Sequence, residues 1–397
     1  MAQSAQPVRG MRDVLPPDAG LRRRLANRIL DVYATYGFEV IETPALEDLA
    51  VLTGAQGGEN EKLIFKVLRR GAKLEEEIAR AGQLADMGLR FDLTVPLARF
   101  VANHLNELAM PLKVAHVAPV WRAERPQKGR FREFTQCDID IVGEPGVAAE
   151  IELCTATLDA LGKLGITGCT IRLNDRRLLR AAVEDRLGPL EDPAAVYIAL
   201  DKLGKLGAEA VAGELATYDQ ARVMSLIEWL AGADISIGPP AVAADLQRTL
   251  DFLEARGLSV RFDPTLVRGM GYYTGQVFEV SHPSVEYSLA GGGRYDAMTS
   301  RFGGPALAMC GFSIGFERVY DLVDKSAFGP GPRKVAVTCT NDDELLACIG
   351  LAEKRREAGR DAVINVLRRA RNARKQADDL KKLGFSEVID ARSFMAQ

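Results

Sequence analysis

Two stretches, LKVAHVAPVWRAE (112–124) and REFTQCDIDIVG (132–143), alternate at period two and flank the short segment RPQKGR. That period sends successive side chains to opposite faces of a strand. Two such runs joined by a Gly-containing loop read as a β-hairpin, so the chain must contain antiparallel sheet. The alternation also puts Gln136, Asp138 and Asp140 on one face of the second strand. Three polar groups in a row need either solvent or a wet cavity, because a buried carboxylate without partners is costly. Both readings stand at this point.

The hairpin loop is basic. Arg122, Arg125, Lys128, Arg130 and Arg132 crowd it, with Glu124 and Glu133 among them. A solvated charged loop accounts for this pattern, and so does a polyphosphate cradle, since the planar guanidinium fork matches phosphate oxygens at two points. In the second case Arg122, Glu124, Phe134 and Gln136 take inward or rim positions, where Phe134 is able to stack on a base. The chain has no GxxxxGK[ST] loop and no GxGxxG at a strand–helix junction, so a nucleotide site here is neither of the P-loop nor of the Rossmann kind.

Four further stretches bear chemistry. GFSIGFER (311–318) reads as a strand whose glycines admit a close neighbour, followed by a helix that starts beside Arg318. Arg318 serves either a ligand or an ion pair with Glu317. In LRFDLTVPLARF, Asp92 and Thr94 are two apart and share a strand face, a pairing that suits an ammonium or a plain turn. LVRGMGYYTGQVFEV (266–280) reads as a strand carrying Arg268, Tyr272 and Tyr273, either as ordinary hairpin packing or as the wall of a small polar pocket. AGGGRYDAMTSRFGG (290–304) reads as a Gly-rich turn that includes Tyr295.

The 397 residues are enough for two or three domains. Residues 19–37 form an amphipathic helix with Leu21, Leu25, Ile29 and Val32 at helical spacing. The stretch from about 170 to 260 is mostly helical and reads as an inserted module. After the linker KSAFGPGPR, strands and helices alternate to the end, as in a small α/β layer. From Arg333 onward 14 Lys/Arg face 10 Asp/Glu, a net of +4 in a chain whose total is −3. That asymmetry permits an RNA-facing tail. The six cysteines form no CxxC pair and the three histidines are scattered, so neither a disulfide framework nor a His/Cys metal site is expected. The start lacks a signal-peptide core, and no stretch approaches the ~18 apolar residues of a membrane span, so a cytoplasmic setting without membrane contact is expected.

Taken in order, these segments resemble the histidyl-tRNA synthetases, a family of class II aminoacyl-tRNA synthetases. RGMRDVLPPD with GFEVIETPALE resembles the N-terminal segment and motif 1. VWRAERPQKGRFREFTQ resembles motif 2, and GFSIGFER resembles motif 3. LVRGMGYYTGQVFE and AGGGRYD resemble the histidine-specific stretches, and IRLNDRRLL with LDKLGK resembles the family's insertion. The variants RFDLTVP and QCDIDIVG are similar to those of eukaryotes and some bacteria.

The resemblance implies an α+β fold with a class II synthetase-type antiparallel sheet flanked by helices, a helical insertion and a small C-terminal α/β domain. Implied boundaries are 1–168 and 261–325 for the two parts of the catalytic core, 169–260 for the insertion, and 333–397 for a reduced anticodon-binding-like domain. It implies a homodimer acting on L-histidine, ATP with Mg²⁺, and tRNA(His). By the same resemblance, Arg122 holds the α-phosphate, Arg130 and Arg318 the outer phosphates, and Glu124 and Phe134 the adenine. Arg268 sits between the histidine carboxylate and the α-phosphate. Asp92, Thr94 and Gln136 take the ammonium, Asp140 and Tyr273 read the imidazole nitrogens, and Tyr272 and Tyr295 line the pocket. The chain departs from the family at Gly271, where an Asp is usual, and in its short tail. Two other roles share this core: a histidine-sensing regulatory subunit of ATP phosphoribosyltransferase, and a tRNA-independent paralogue that makes an aminoacyl-adenylate.

Overall fold

The long hairpin lies at the heart of an eight-stranded sheet in a computed structural model of the chain. The structure describes residues 5–53, 60–126, 130–190, 193–232, 235, 238–267, 271–329, 333–357 and 362–396. By internal contacts the chain divides into two units, one comprising 1–12 and 26–323, the other 13–25 and 324–397. The helix α1 (Pro16–Thr35) runs across the boundary between 25 and 26, and its Leu21, Leu25, Ile29 and Val32 are all buried.

In the first unit the strands are β1 (Glu39–Val40), β2 (Leu46–Asp48), β3 (Lys66–Leu68), β4 (Ala85–Leu89), β5 (Leu112–Trp121), β6 (Glu133–Val142), β7 (Thr170–Asp175), β8 (Val260–Phe262), β9 (Gln276–His282), β10 (Val285–Arg294) and β11 (Met309–Gly315). The main sheet has the order β1-β5-β6-β11-β10-β9-β7-β8. Its centre is antiparallel, and only the outer pairs β1–β5 and β7–β8 are parallel. A small antiparallel sheet, β2-β4-β3, packs with the helix α2 (Leu49–Thr53), while α3 (Ala72–Ala79) connects β3 to β4 and α4 (Thr94–His104) follows β4 in the chain.

Two stretches differ from their sequence reading. The strand in 266–280 begins only at Gln276, so Tyr272 and Tyr273 precede it. The glycines of AGGGR are not a turn but the end of β10. Strand glycines are needed there because neighbours come too close for a side chain: a Cβ on Gly292 would overlap the Gly311 carbonyl, and one on Gly293 would lie 2.7 Å from the Gln276 carbonyl.

One face of the sheet is apolar. Ile139, Ile141, Phe312, Ile314, Phe278 and Val280 are buried on it, and the Phe278 and Phe312 rings lie 4.6 Å apart. The helix α5 (Ala148–Lys163) packs on β6, β10 and β11. Its Glu150 carboxylate meets Arg294 of the sheet. Arg294, at the end of β10, donates to Glu150 at 2.6 and 2.7 Å and to the Glu144 and Gly146 carbonyls. Burial opposes the Arg294 charge, but the Glu150 bonds outweigh it and raise its pKa. Removing one partner of a buried pair strands the other charge, at a cost of about 3–5 kcal/mol. Glu150→Ala is therefore expected to lose that much stability in chemical denaturation, and a loss under about 1 kcal/mol would contradict the assignment.

Between β7 and β8 run six helices: α6 (Arg176–Leu187), α7 (Ala194–Asp201), α8 (Leu203–Leu206), α9 (Ala208–Glu214), α10 (Gln220–Gly232) and α11 (Pro240–Ala255), counted among the described residues. Leu179, Val196, Leu200, Val211, Leu226 and Leu230 form a core of their own within them. The unit's last helix, α12 (Phe316–Leu322), follows β11 directly.

The second unit has a parallel sheet in the order β13-β12-β14, from β12 (Arg333–Cys339), β13 (Ala362–Arg368) and β14 (Glu387–Asp390). The helices α13 (Asp342–Glu357) and α15 (Ala391–Met395) cover one face around Val337, Cys348 and Phe394. Leu380 of α14 (Ala373–Lys382) packs with Ala336 and Phe385. Among the described residues no helix is long and apolar enough to cross a membrane.

Candidate active site

The other face of the main sheet is polar, and β6 makes it so. Gln136, Asp138 and Asp140 stand opposite Gly315, Ser313 and Gly311 of β11. All three are buried, so the wet-cavity reading holds and solvent exposure does not. Burial pushes the Asp138 carboxyl well up, and neighbouring Asp140 adds to the effect. Burial lifts Asp140 to about 7, against a hydrogen bond from Tyr295 that favours its ionised form. Gly311 is obligatory for this arrangement, since a Cβ there would overlap the Asp140 carboxylate. Beside the floor, on the same face, buried His116 stands opposite Asp138 in the β5–β6 register. Burial and then the Arg90 guanidinium push its pKa down to about 4, so it stays neutral.

Above this floor lies a small cavity of about 110 Å³, lined by Asp92, Thr94, Gln136, Asp140, Tyr272, Tyr273 and Tyr295 among others. The structure thus brings together every described residue assigned from sequence to the small polar ligand. Asp92 and Thr94 reach the cavity by a different route from the one expected. They lie at the start of α4 and not on a strand, and Asp92 accepts a bond from the Val95 N–H at 3.2 Å. The three tyrosines form one cluster, with Tyr272 4.8 Å from Tyr273 and 5.9 Å from Tyr295, centroid to centroid. The Tyr295 hydroxyl donates to Asp140 at 2.5 Å. Acceptors on the floor and phenols on the wall suit a ligand that carries N–H groups at both ends.

A larger cleft of about 550 Å³ opens next to it. Arg122, Glu124, Arg130, Phe134 and Arg318 all line it. The sequence-derived nucleotide set is therefore together as well. Arg122 donates from Nε to the Phe91 carbonyl at 3.0 Å, and its guanidinium carbon is 5.0 Å from the Phe134 ring centroid. Arg130 lies 3.6 Å from Glu124. Arg318 donates to the Ser288 carbonyl at 2.7 Å. Glu317 also lines the cleft, and it accepts from the Thr135 N–H at 3.0 Å and from Arg12 at 3.4 Å. Arg268 and Lys128 lie outside the described residues.

Arg122, Gln136, Gly291 and Ser313 line both cavities, so the two spaces adjoin along these four residues. Sequence reasoning left Ser313 out of the site. Its signal was present in the alternation Gly311–Ser313–Gly315, which puts it on the same face as the two glycines. The N-terminal segment was read only by resemblance. Its Gly10 carbonyl accepts from the Arg132 N–H at 2.8 Å, and the Arg12 guanidinium lies 3.8 Å from the Phe131 ring, so it braces the hairpin beside the cleft. Among the described residues no group of three or more His, Cys, Asp or Glu is placed to hold a metal ion.

Comparison with known proteins points one way. The family model described as Histidyl-tRNA synthetase matches residues 10–319. A protein named Histidine--tRNA ligase from Leifsonia xyli subsp. xyli is 42% identical over 412 residues, covering 97% of this chain and 95% of its own length. Among solved structures, histidyl-tRNA synthetase from Nostoc sp. PCC 7120 is similar with a TM-score of 0.73 at 26% identity, over 96% of this chain and 90% of that one. A protein from Bacillus halodurans C described as an ATP phosphoribosyltransferase regulatory subunit/histidyl-tRNA synthetase gives a TM-score of 0.78 at 23% identity, over 98% and 99% of the two chains. At that identity the likeness is one of fold.

Proposed function

The chain belongs to the histidyl-tRNA synthetase family and is a histidine–tRNA ligase, and from that premise we propose how its two cavities divide the work. L-Histidine occupies the small cavity and ATP the cleft. The histidine carboxylate oxygen attacks the α-phosphorus, the bond to the β-phosphate oxygen breaks, and pyrophosphate leaves. The terminal adenosine of tRNA(His) then takes the histidyl group and AMP is released.

Arg122 is the hinge of this reading, because it lines both cavities. It holds the α-phosphate and stabilises the charge that builds there in the transition state. The family resemblance assigns Arg268 to the same centre. Arg130 and Arg318 hold the outer phosphates, while Glu124 and Phe134 face the adenine. Asp92, Thr94 and Gln136 take the ammonium. Asp140 and Tyr273 read the ring nitrogens, with Tyr272 and Tyr295 completing the wall. Mg²⁺ comes with the triphosphate. It needs few protein oxygens when phosphates supply the others, and Glu279 and Glu286 on the cleft wall offer them.

Residues 1–168 and 261–325 form the catalytic core in this reading, 169–260 the insertion, and 333–397 a reduced anticodon-binding-like domain. The enzyme works as a cytoplasmic homodimer. A histidine-sensing regulatory subunit would use the small cavity alone and leave Arg130 and Arg318 without a task. Histidine-dependent exchange of pyrophosphate into ATP, followed by charging of a tRNA(His) transcript, tests the assignment. Exchange without charging would instead identify a tRNA-independent paralogue.

A further inference from the structure

We propose that Asp138, together with Ser313, is a positioning residue that fixes which end of the Gln136 side-chain amide faces the small cavity. This deepens the reading in which Gln136 receives the histidine ammonium, and it rests on that reading. A glutamine amide is nearly symmetric in shape and opposite in polarity at its two ends. An ammonium needs the oxygen end, and the nitrogen end would repel it.

The geometry selects the oxygen. Gln136 Nε2 donates to Ser313 Oγ at 2.7 Å and lies 3.4 and 3.5 Å from the two Asp138 oxygens. A hydrogen bond from Ser313 favours the ionised form of Asp138. Asp138 and Ser313 face each other directly in the β6–β11 register, so the three groups close a ring. Reversing the amide would set its oxygen against the carboxylate oxygens of ionised Asp138, the form that the Ser313 and Gln136 hydrogen bonds favour. With the nitrogen engaged, Gln136 Oε1 is buried and has no protein partner among the described residues. Such an acceptor is costly unless a ligand satisfies it, and both Gln136 and Asp138 line the cavity.

Asp138→Asn keeps the shape but supplies an amide able to pair with either Gln136 orientation. Dissociation constants for L-histidine and for imidazolepropionate, which lacks the amine, separate the roles. The wild type is expected to prefer histidine. Asp138→Asn should reduce that preference about tenfold or more, with imidazolepropionate binding changed less than about threefold. Ser313→Ala should act in the same sense and serves if the first variant does not fold. Gln136→Ala is the control: if it leaves the preference intact, the reading of Gln136 itself fails. If Gln136→Ala removes the preference while Asp138→Asn and Ser313→Ala retain it, the positioning role is overturned. Equal weakening of both ligands in Asp138→Asn and Ser313→Ala would mark a general packing role and overturn it too.

Discussion

Asp140→Asn is expected to cripple histidine activation and, at pH 8, to make the protein more heat-stable. Both effects come from one carboxylate held where its charge is costly. Burial lifts its pKa to about 7 from the ordinary carboxylate value of 3.8. The folded protein therefore keeps a proton between about pH 4 and pH 7 that the unfolded chain has lost. Stability referable to Asp140 is present at the acid end and falls as pH rises through 7. Above that pH the buried charge costs on the order of 4 kcal/mol, since each pKa unit is worth ~1.4 kcal/mol. Asparagine removes the charge and can still accept the Tyr295 hydroxyl bond. The thermal midpoint of Asp140→Asn should exceed the wild-type value by several degrees at pH 8 and by much less at pH 5.

Function moves in the opposite direction. The ionised carboxylate accepts an imidazole N–H, and an amide is a weaker acceptor that also brings a donor. A fall in kcat/KM for histidine of about 10²–10³-fold is expected, the loss of a charge-assisted bond plus a mispaired group. Equal midpoint shifts at the two pH values would show that the charge of Asp140 is not what burdens the fold.

Arg122→Ala should be the most damaging change on the cleft side. The side chain is held by the Phe91 carbonyl against the face of Phe134 and borders both cavities. A guanidinium aimed at developing phosphoryl charge contributes more to the transition state than to the ground state. Pyrophosphate exchange is expected to fall about 10³-fold or more, while the histidine dissociation constant changes only a few-fold. Arg122→Lys should recover little, because a point charge cannot reproduce the two-point fork. If histidine binding weakens as much as exchange, Arg122 serves ground-state binding only.

Much of this site is legible in the sequence. The hairpin, its polar face and the helix after GFSIGFER follow from period-two alternation and a change of period. The failures share a physical cause. Asp92 and Thr94 were read as a strand pair because LRFDLTV is rich in strand-forming residues. Pro96, in the first turn of α4, marked a helix start instead. The AGGGR glycines read as a turn by local preference, yet they sit in β10 because the Gly311 and Gln276 carbonyls crowd them from adjoining strands. Spacing along the chain carries no record of such long-range approach. Nor does it reveal that Arg294 is tied to Glu150 on the far side of the sheet rather than to a ligand.

The account stands on two adjoining spaces, one acidic and imidazole-sized, the other set with arginines, working on a shared reaction centre. Exchange of labelled pyrophosphate into ATP reads that coupling directly. The prediction is exchange that appears only with L-histidine and disappears in Arg122→Ala, with histidine still bound. Histidine binding by the wild type without any exchange would contradict it.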